Sequence, residues 1–172
     1  IVVVSSTIGA LISFAINFVV VLLFALFTHV HFTWRVLLLP LNFIQLYIIA
    51  LGLALLLSTM YVYFRDISHI WDVLQQVLFY AMPIIYPLSM VIGNNSLRGY
   101  GLLIAKIQLL NPIAQVIQDI RHNLIAPETQ PTIWTMTSNP LLRAVPIVLS
   151  ILILVLGVYV FKRNNRKFAE VM

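Results

Sequence analysis

The chain has 172 residues, of which 62% are hydrophobic and only 9% are charged, and its mean hydropathy is +1.03. A soluble domain carries about 25% charged residues, so a water-soluble fold could not bury this much apolar surface. There are no cysteines, which excludes disulfides, thiolate metal sites and cysteine nucleophiles. The composition predicts an all-α membrane helix bundle that forms one domain over 1–172.

The formal net charge is +5, and its placement matters more than its size. Four basic residues follow the last apolar run: Lys162, Arg163, Arg166 and Lys167. Basic residues beside a membrane span mark the cytoplasmic side, so we expect a cytoplasmic C-terminus. No basic face with interleaved aromatic side chains accompanies them, and we therefore expect no nucleic-acid partner.

In chain order, four apolar segments predict membrane-spanning helices: 1–28, 36–60, 73–91 and 145–161. About 20 apolar residues in a helix cross the hydrocarbon core of a bilayer, and the last segment is short but strongly apolar. The chain opens inside the first apolar run with Ile1 and without a basic n-region. We therefore expect it to be the C-terminal, multi-pass part of a longer protein.

The loop between the second and third segments carries Tyr63, Phe64, Arg65, Asp66 and Ile67. Alternation from a cytoplasmic C-terminus places this loop inside the cell. It could be a tight turn with interfacial aromatic side chains. It could also be a contact point that receives motion from a cytoplasmic subunit, and the residues alone do not separate these readings.

The third apolar segment contains Pro83 and Pro87, which flank Ile84, Ile85 and Tyr86. Each proline removes a backbone donor and disfavours a straight helix. Broken backbone at membrane depth persists only where it is buried in protein or faces a water-filled cavity. Either the helix ends near the outer surface, or it breaks, re-enters the membrane and lines a pathway.

The segment 83–125 is predicted to form short re-entrant or interfacial helices on the outer side, before the last span. Asn111 and Pro112 predict a helix start, because asparagine caps free N–H groups and proline fits the first helical position. The next residues place an apolar face at Ile113, Val116, Ile117, Ile120 and Leu124, with Gln115, Gln118, Asp119 and His122 elsewhere. We expect this helix to lie in the membrane interface or over the mouth of the bundle, with Trp134 as an interfacial anchor beyond it.

Motifs for catalysis are absent from the sequence. There is no phosphate-binding G-x-x-x-x-G-K-[ST], no H-E-x-x-H and no G-x-S-x-G, and the histidines are scattered. All five acids lie outside the apolar segments: Asp66, Asp72, Asp119, Glu128 and Glu170. Carriers coupled to protons usually hold ionisable groups within the bilayer. We therefore expect no enzyme activity, no metal and no cofactor in this chain. Transport would then be driven by a partner protein or would be passive.

Four strings in order resemble one family: Leu51-Gly-Leu53, Val62-Tyr-Phe-Arg-Asp-Ile67, Pro83-Ile-Ile-Tyr-Pro87 and Leu110-Asn-Pro112. They resemble the ABC-2-type permeases that export O-antigen, capsule and teichoic-acid polymers, and the basic tail fits too. The resemblance implies a six-span subunit in the bacterial cytoplasmic membrane, of which four spans are present. It also implies pairing with a second copy and with ATP-binding cassette subunits that hold ATP and magnesium.

The resemblance further implies that Tyr63 to Ile67 couple the chain to the ATPase subunit and that the segment Pro83 to Pro112 gates the exit. The substrate implied is a lipid-linked glycan or polyol-phosphate polymer in contact with membrane lipid. Aromatic faces stack on sugar rings without fixing a register, so Tyr47, Phe79, Tyr80 and Tyr86 are expected to line the path. The other expected path or gate residues come from the gate segment that the resemblance implies: Pro83, Pro87, Asn111 and Pro112. The aromatic ones could instead be ordinary packing or belt residues. Alternative functions are an exporter of drugs or lipids, a passive channel and a membrane-embedded transferase.

Overall fold

A computed structural model describes residues 2–28, 32–64, 66–94, 99–125 and 130–171, with side chains up to residue 164. These residues form helices and connecting turns without a strand. The helices are α1 Val2–Phe27, a 3₁₀ helix Trp34–Leu38, α2 Leu39–Tyr63, α3 Ile67–Ala81, α4 Leu88–Ile92, α5 Gly101–Leu110, α6 Pro112–Leu124, α7 Ile133–Met136 and α8 Pro140–Val171. The predicted all-α class is confirmed.

Three stretches of helix are long and apolar enough to cross a membrane: Val2–Phe27, Trp34–Tyr63 and Pro140–Asn164. They match the predicted segments 1–28, 36–60 and 145–161, and the third begins earlier than predicted. Asn139 accepts a hydrogen bond from the Leu141 backbone N–H at 3.0 Å, which caps α8 one residue before Pro140. The pair Asn139-Pro140 therefore repeats the helix-start signal that Asn111-Pro112 carries.

The predicted third span, 73–91, is not one helix. The helix α3 begins at Ile67 and ends at Ala81, and residues 82–87 form turns and bends before α4. Pro83 and Pro87 account for the break, because neither can donate the backbone hydrogen bond that would continue a helix. At about 1.5 Å per residue, the 15 residues of α3 fall short of a hydrocarbon core of about 30 Å.

The helices α2 and α8 run parallel and form the most extensive helix pair of the structure. Gln45 contacts Ser150 near their N-termini, and the Tyr63 hydroxyl donates to Asn164 at 3.0 Å near their C-termini. Between these points the backbones meet at Gly52 and Gly157. A Cβ on Gly157 would lie 2.4 Å from the Gly52 carbonyl oxygen, so only glycine allows this approach.

The parallel course of α2 and α8 means that residues 64–139 return the chain to the end where α2 began. We call that end, with α6, α7 and the N-terminal turns of α2 and α8, the polar half of the structure. Beside it, α4, α5 and α7 enclose a small apolar core of Leu88, Ala105, Leu109 and Ile133. The helix α1 joins the bundle through edge-to-face contacts of Phe14 and Phe18 with Phe43 on α2.

Candidate functional site

The proline break at residues 82–87 is held by side chains from α5 and α6. Gln108 donates to the Ala81 carbonyl oxygen and to the Tyr86 hydroxyl, each at 2.9 Å. Arg121 donates to the carbonyl oxygens of Pro83, at 2.7 Å, and of Ile84. The carbonyl oxygens of Ala81, Pro83 and Ile84 lie where the helix is broken, so the helix provides no backbone N–H group to bind them. Protein donors satisfy them.

Several predicted gate residues therefore belong to one assembly. Pro83 is buried and its carbonyl oxygen binds α6, while the half-buried Tyr86 binds α5. Asn111 caps α6 by accepting from the Ile113 N–H at 3.0 Å, and Pro112 is buried at the first helical position, as predicted. Pro87 is exposed and precedes α4.

The predicted aromatic path residues do not converge. Phe79 and Tyr80 are exposed neighbours on α3, with ring centroids 5.6 Å apart in an edge-to-face contact. They border an open groove along α3 together with Asp72, Gln75 and Gln76. Tyr47 is half-buried on α2, and Tyr86 is engaged at the proline break. Within the described residues, these four rings do not line one common cavity.

The predicted coupling residues surround the turn from α2 to α3. Phe64 follows the last turn of α2, and Asp66 precedes the first turn of α3, so the turn is short. The side chains of Tyr63, Phe64 and Asp66 are exposed, and Ile67 is half-buried. Arg65 lies outside the described residues. The turn therefore presents mainly exposed side chains at the end of the bundle opposite the polar half.

The helix α6 buries polar as well as apolar side chains. Its polar residues Gln115, Gln118, Asp119 and His122 are buried, and so are Val116 and Leu124 of the predicted apolar face, whereas Ile113, Ile117 and Ile120 are half-buried. The sequence separated the two faces but did not indicate that the polar one would be buried. In a bundle surrounded by lipid, a polar stripe finds hydrogen-bond partners only by facing other helices, which is the physical reason for its burial.

The buried face of α6 joins α2, α7 and α8 through a chain of hydrogen bonds. Gln45 on α2 donates to Gln115 at 2.8 Å and to the Ser150 hydroxyl at 3.2 Å. Gln115 in turn donates to Asp119 Oδ2, and the Trp134 indole N–H donates to the same oxygen at 3.0 Å. Trp134 is thus tied to a buried carboxylate, whereas the interfacial position that its sequence suggested stays a prediction.

His122 forms a second connection in the polar half. The Arg35 guanidinium carries only donors, so it donates to His122 Nε2. The other ring nitrogen, Nδ1, lies 2.7 Å from the Gln130 carbonyl oxygen and must donate to it. These partners assign His122 as a neutral imidazole with its proton on Nδ1. The contact joins the 3₁₀ helix before α2 to the residue after the 126–129 segment.

A cavity of about 390 Å³ lies between these elements. Its polar lining includes Arg35, Asn42, Gln45, Gln115, Asp119 and His122, and Leu38, Leu41 and Ile147 supply part of its apolar lining. Asn42 Nδ2 and Asp119 Oδ1 are buried atoms without a hydrogen-bond partner among the described residues. A volume of this size is within the range of small-ligand sites.

Burial raises the pKa of the Asp119 carboxyl above its ordinary value of 3.8. Hydrogen bonds from Trp134 and Gln115 oppose this change because they stabilise the carboxylate, but they do not cancel it. The sequence assigned Asp119 to an outer surface helix and did not anticipate a buried acid. The signal was present, since residues 115, 118, 119 and 122 have the spacing of one helical stripe.

Comparison with known proteins identifies no relative. No protein-family model matches the chain, and neither curated proteins nor solved structures yield a match. Among the described residues, no group of three histidine, aspartate or glutamate side chains is placed to hold a metal ion. His29 and His31 lie outside the described residues.

Proposed function

We propose that this chain is a membrane-spanning part of an ABC-2-type permease that moves a lipid-linked polysaccharide or polyol-phosphate polymer out of a bacterial cell. ATP would be hydrolysed by a separate ATP-binding cassette subunit, because this sequence has no phosphate-binding loop. The family assignment rests on the four strings in order, from Leu51 to Pro112.

One structural observation carries the proposal: the proline break is supported by α5 and α6 through Gln108 and Arg121. The break begins where α3 has brought the chain back from the exposed α2–α3 turn towards the polar half. A chain that returns between two parallel long helices supports a fourth crossing, made by α3 and the segment after it. A supported break near the outer side then suits a gate better than a continuous helix would.

The turn between α2 and α3, where Tyr63, Phe64 and Asp66 are exposed, suits contact with an ATPase subunit. It lies at the same end of the bundle as the basic residues near the C-terminus of α8, since Tyr63 contacts Asn164 there, and this end is cytoplasmic if those residues mark the inner side. The gate and the coupling turn are joined by α3. A displacement of the turn by the ATPase subunit would therefore be transmitted along α3 to the proline break.

The test is ATP turnover by the full-length permease in proteoliposomes, with candidate ATP-binding subunits and with or without lipid-linked glycan. The variant is Arg65→Ala, Asp66→Ala. The matched control is His69→Ala, Asp72→Ala, which also removes one basic and one acidic side chain from an exposed surface of α3. We expect turnover to fall at least about fivefold in the variant, the lower end of a typical coupling between sites, and to persist in the control.

The outcomes separate the candidate functions. Turnover that is stimulated by drugs or lipids but not by glycans would support an ABC-2 exporter of another amphipathic substrate. Solute flux without nucleotide and without an associated ATPase would support a passive channel. If permease-dependent turnover is equal in variant and control, the α2–α3 turn is a structural turn and coupling occurs elsewhere.

A further inference from the structure

We propose that the contact between Arg35 and His122 is a pH-sensitive latch, which holds the 3₁₀ helix Trp34–Leu38 against α6 and opens when His122 takes up a proton. The inference concerns the conformation of this chain alone, and it does not depend on what the chain transports. The latch joins two walls of the cavity in the polar half, because Arg35 and His122 both line that cavity.

The first step is how little else holds the 3₁₀ helix in place. None of its five side chains is buried. The next residue, Leu39, is buried at the start of α2 and fixes the end from which the 3₁₀ helix extends. Among the described residues, Arg35 binds no side chain other than His122. The position of the 3₁₀ helix over α6 therefore depends to a large extent on this one contact.

The second step is the hydrogen-bond geometry of His122, which is only 7% exposed. Its Nδ1 atom lies 2.7 Å from the Gln130 carbonyl oxygen, which has no proton to donate, so Nδ1 carries the proton. The Nε2 atom is then the acceptor for the Arg35 guanidinium, which has only donors. The contact therefore requires a neutral imidazole.

The third step is what a proton on Nε2 changes. Histidine is the side chain whose charge ordinarily changes between about pH 5 and about pH 8. An imidazolium donates from both ring nitrogens, so Nε2 and the guanidinium become two donors that carry like charge. The hydrogen bond from Nδ1 to Gln130 needs no change and keeps the His122 ring in place. The exposed Arg35 side chain can turn towards water, so Arg35 is the partner that leaves.

The fourth step concerns the other charges near the ring. Asp119 lies on the same helix and interacts with His122 electrostatically, but its hydrogen bonds come from Gln115 and Trp134. An attraction to Asp119 offsets part of the repulsion between the two cations, yet it supplies no acceptor between Nε2 and the guanidinium. The side chains that α2, α7 and α8 contribute to the cavity are uncharged, and Arg121 is engaged at the proline break.

The experiment measures the distance between the 3₁₀ helix and α8 by double electron–electron resonance on the full-length protein in lipid nanodiscs. Nitroxide labels are attached at Trp34→Cys and Val155→Cys, which are exposed positions on the two helices. This chain has no cysteine, cysteines outside it are replaced by serine, and excess unlabelled protein removes distances between copies. We expect one distance at about pH 8, and at about pH 5 a second distance whose population has risen at least about fivefold.

Two variants and a control locate the titrating group. His122→Gln keeps an acceptor for Arg35 and a donor for the backbone carbonyl but takes up no proton, so the parent distance should persist at both pH values. Arg35→Met removes the latch, so the second distance should predominate at both. The control replaces the other three histidines of the chain, His29, His31 and His69, by glutamine and should respond to pH as the parent does.

Thermal unfolding of each variant is measured at both pH values, so that loss of fold is distinguished from opening of the latch. A response that is lost in His122→Gln and kept in the control supports the proposal. If His122→Gln does not fold, Arg35→Met decides, because the parent distance in that variant at the higher pH overturns the latch. Equal distances in the folded parent at both pH values overturn it, as does a response that persists in His122→Gln or is lost in the control. A protein that shows the response but stimulates no ATPase would keep this inference and contradict the export proposal.

Discussion

Two regions hold α2 and α8 together by different means. At the crossing, Gly52 and Gly157 bring the two backbones into contact without polar side chains. In the polar half, Gln45, Gln115 and Ser150 connect the same helices through hydrogen bonds. Lipid removes most of the hydrophobic drive for association, so close van der Waals packing and interhelical hydrogen bonds remain as the stabilising interactions.

This difference indicates which region of the molecule can change its conformation. At the glycine crossing the backbones leave no space even for a methyl group. In the polar half there is a cavity, a buried acid and two buried polar atoms without partners on its wall. We infer that the crossing is the rigid scaffold and that the polar half is the region able to bind or rearrange.

The largest expected effect is at the crossing. Gly157→Ala places a Cβ where the Gly52 carbonyl oxygen lies, so α2 and α8 must separate. We expect a loss of about 1–3 kcal/mol, the usual cost of overpacking, measured by reversible unfolding in mixed micelles. Gly9→Ala is the matched control, because no atom lies within 4 Å of a Cβ there. Alanine is favoured over glycine in a helix, so this control should not destabilise the protein. Equal effects at both positions would contradict a close crossing.

At the proline break we expect an effect on stability that is no larger than this and is confined to the local structure. Arg121→Met removes the donors to the Pro83 and Ile84 carbonyl oxygens, which costs about 1–3 kcal/mol if they stay unpaired. Hydrogen exchange by mass spectrometry should show faster exchange of the backbone amides in 82–90, while those near Gly52 remain protected. Arg121→Lys should rescue only partly, since an ammonium lacks the planar fork of the guanidinium. Unchanged exchange in Arg121→Met would show that the break is held by other contacts.

The smallest effect is expected from the buried acid. The quantity that tests it is the sign of the change in unfolding free energy with pH. Because the folded-state pKa of Asp119 is raised, its stabilising contribution is fully present below pH 3.8 and is lost as pH rises towards that folded-state pKa. The difference in unfolding free energy between the parent and Asp119→Asn should therefore move against the parent as pH rises from about 4 and then level off. Urea unfolding in detergent over this range measures it. A difference that grows in favour of the parent would mean a lowered pKa.

Much of the fold could be predicted from the sequence. Long uncharged runs predicted four spans, and three of them are helices of membrane-spanning length in the structure. Asn111-Pro112 predicted the start of α6, because backbone capping, like apolar length, is a local property. The prolines at 83 and 87 predicted a discontinuity but not its form. The partners of the freed carbonyls, Gln108 and Arg121, lie more than 20 residues away in sequence, and no local rule identifies them.

The sequence by itself thus determined the helical class and the positions of three long helices. The tertiary structure decided that the polar face of α6 is buried, that α2 and α8 run parallel, and that Asp119 meets Trp134. The physical reason is that periodicity defines two faces of a helix but not which solvent each face meets. In lipid the polar face turns inward, and only the packing of distant helices supplies the partners that make this favourable.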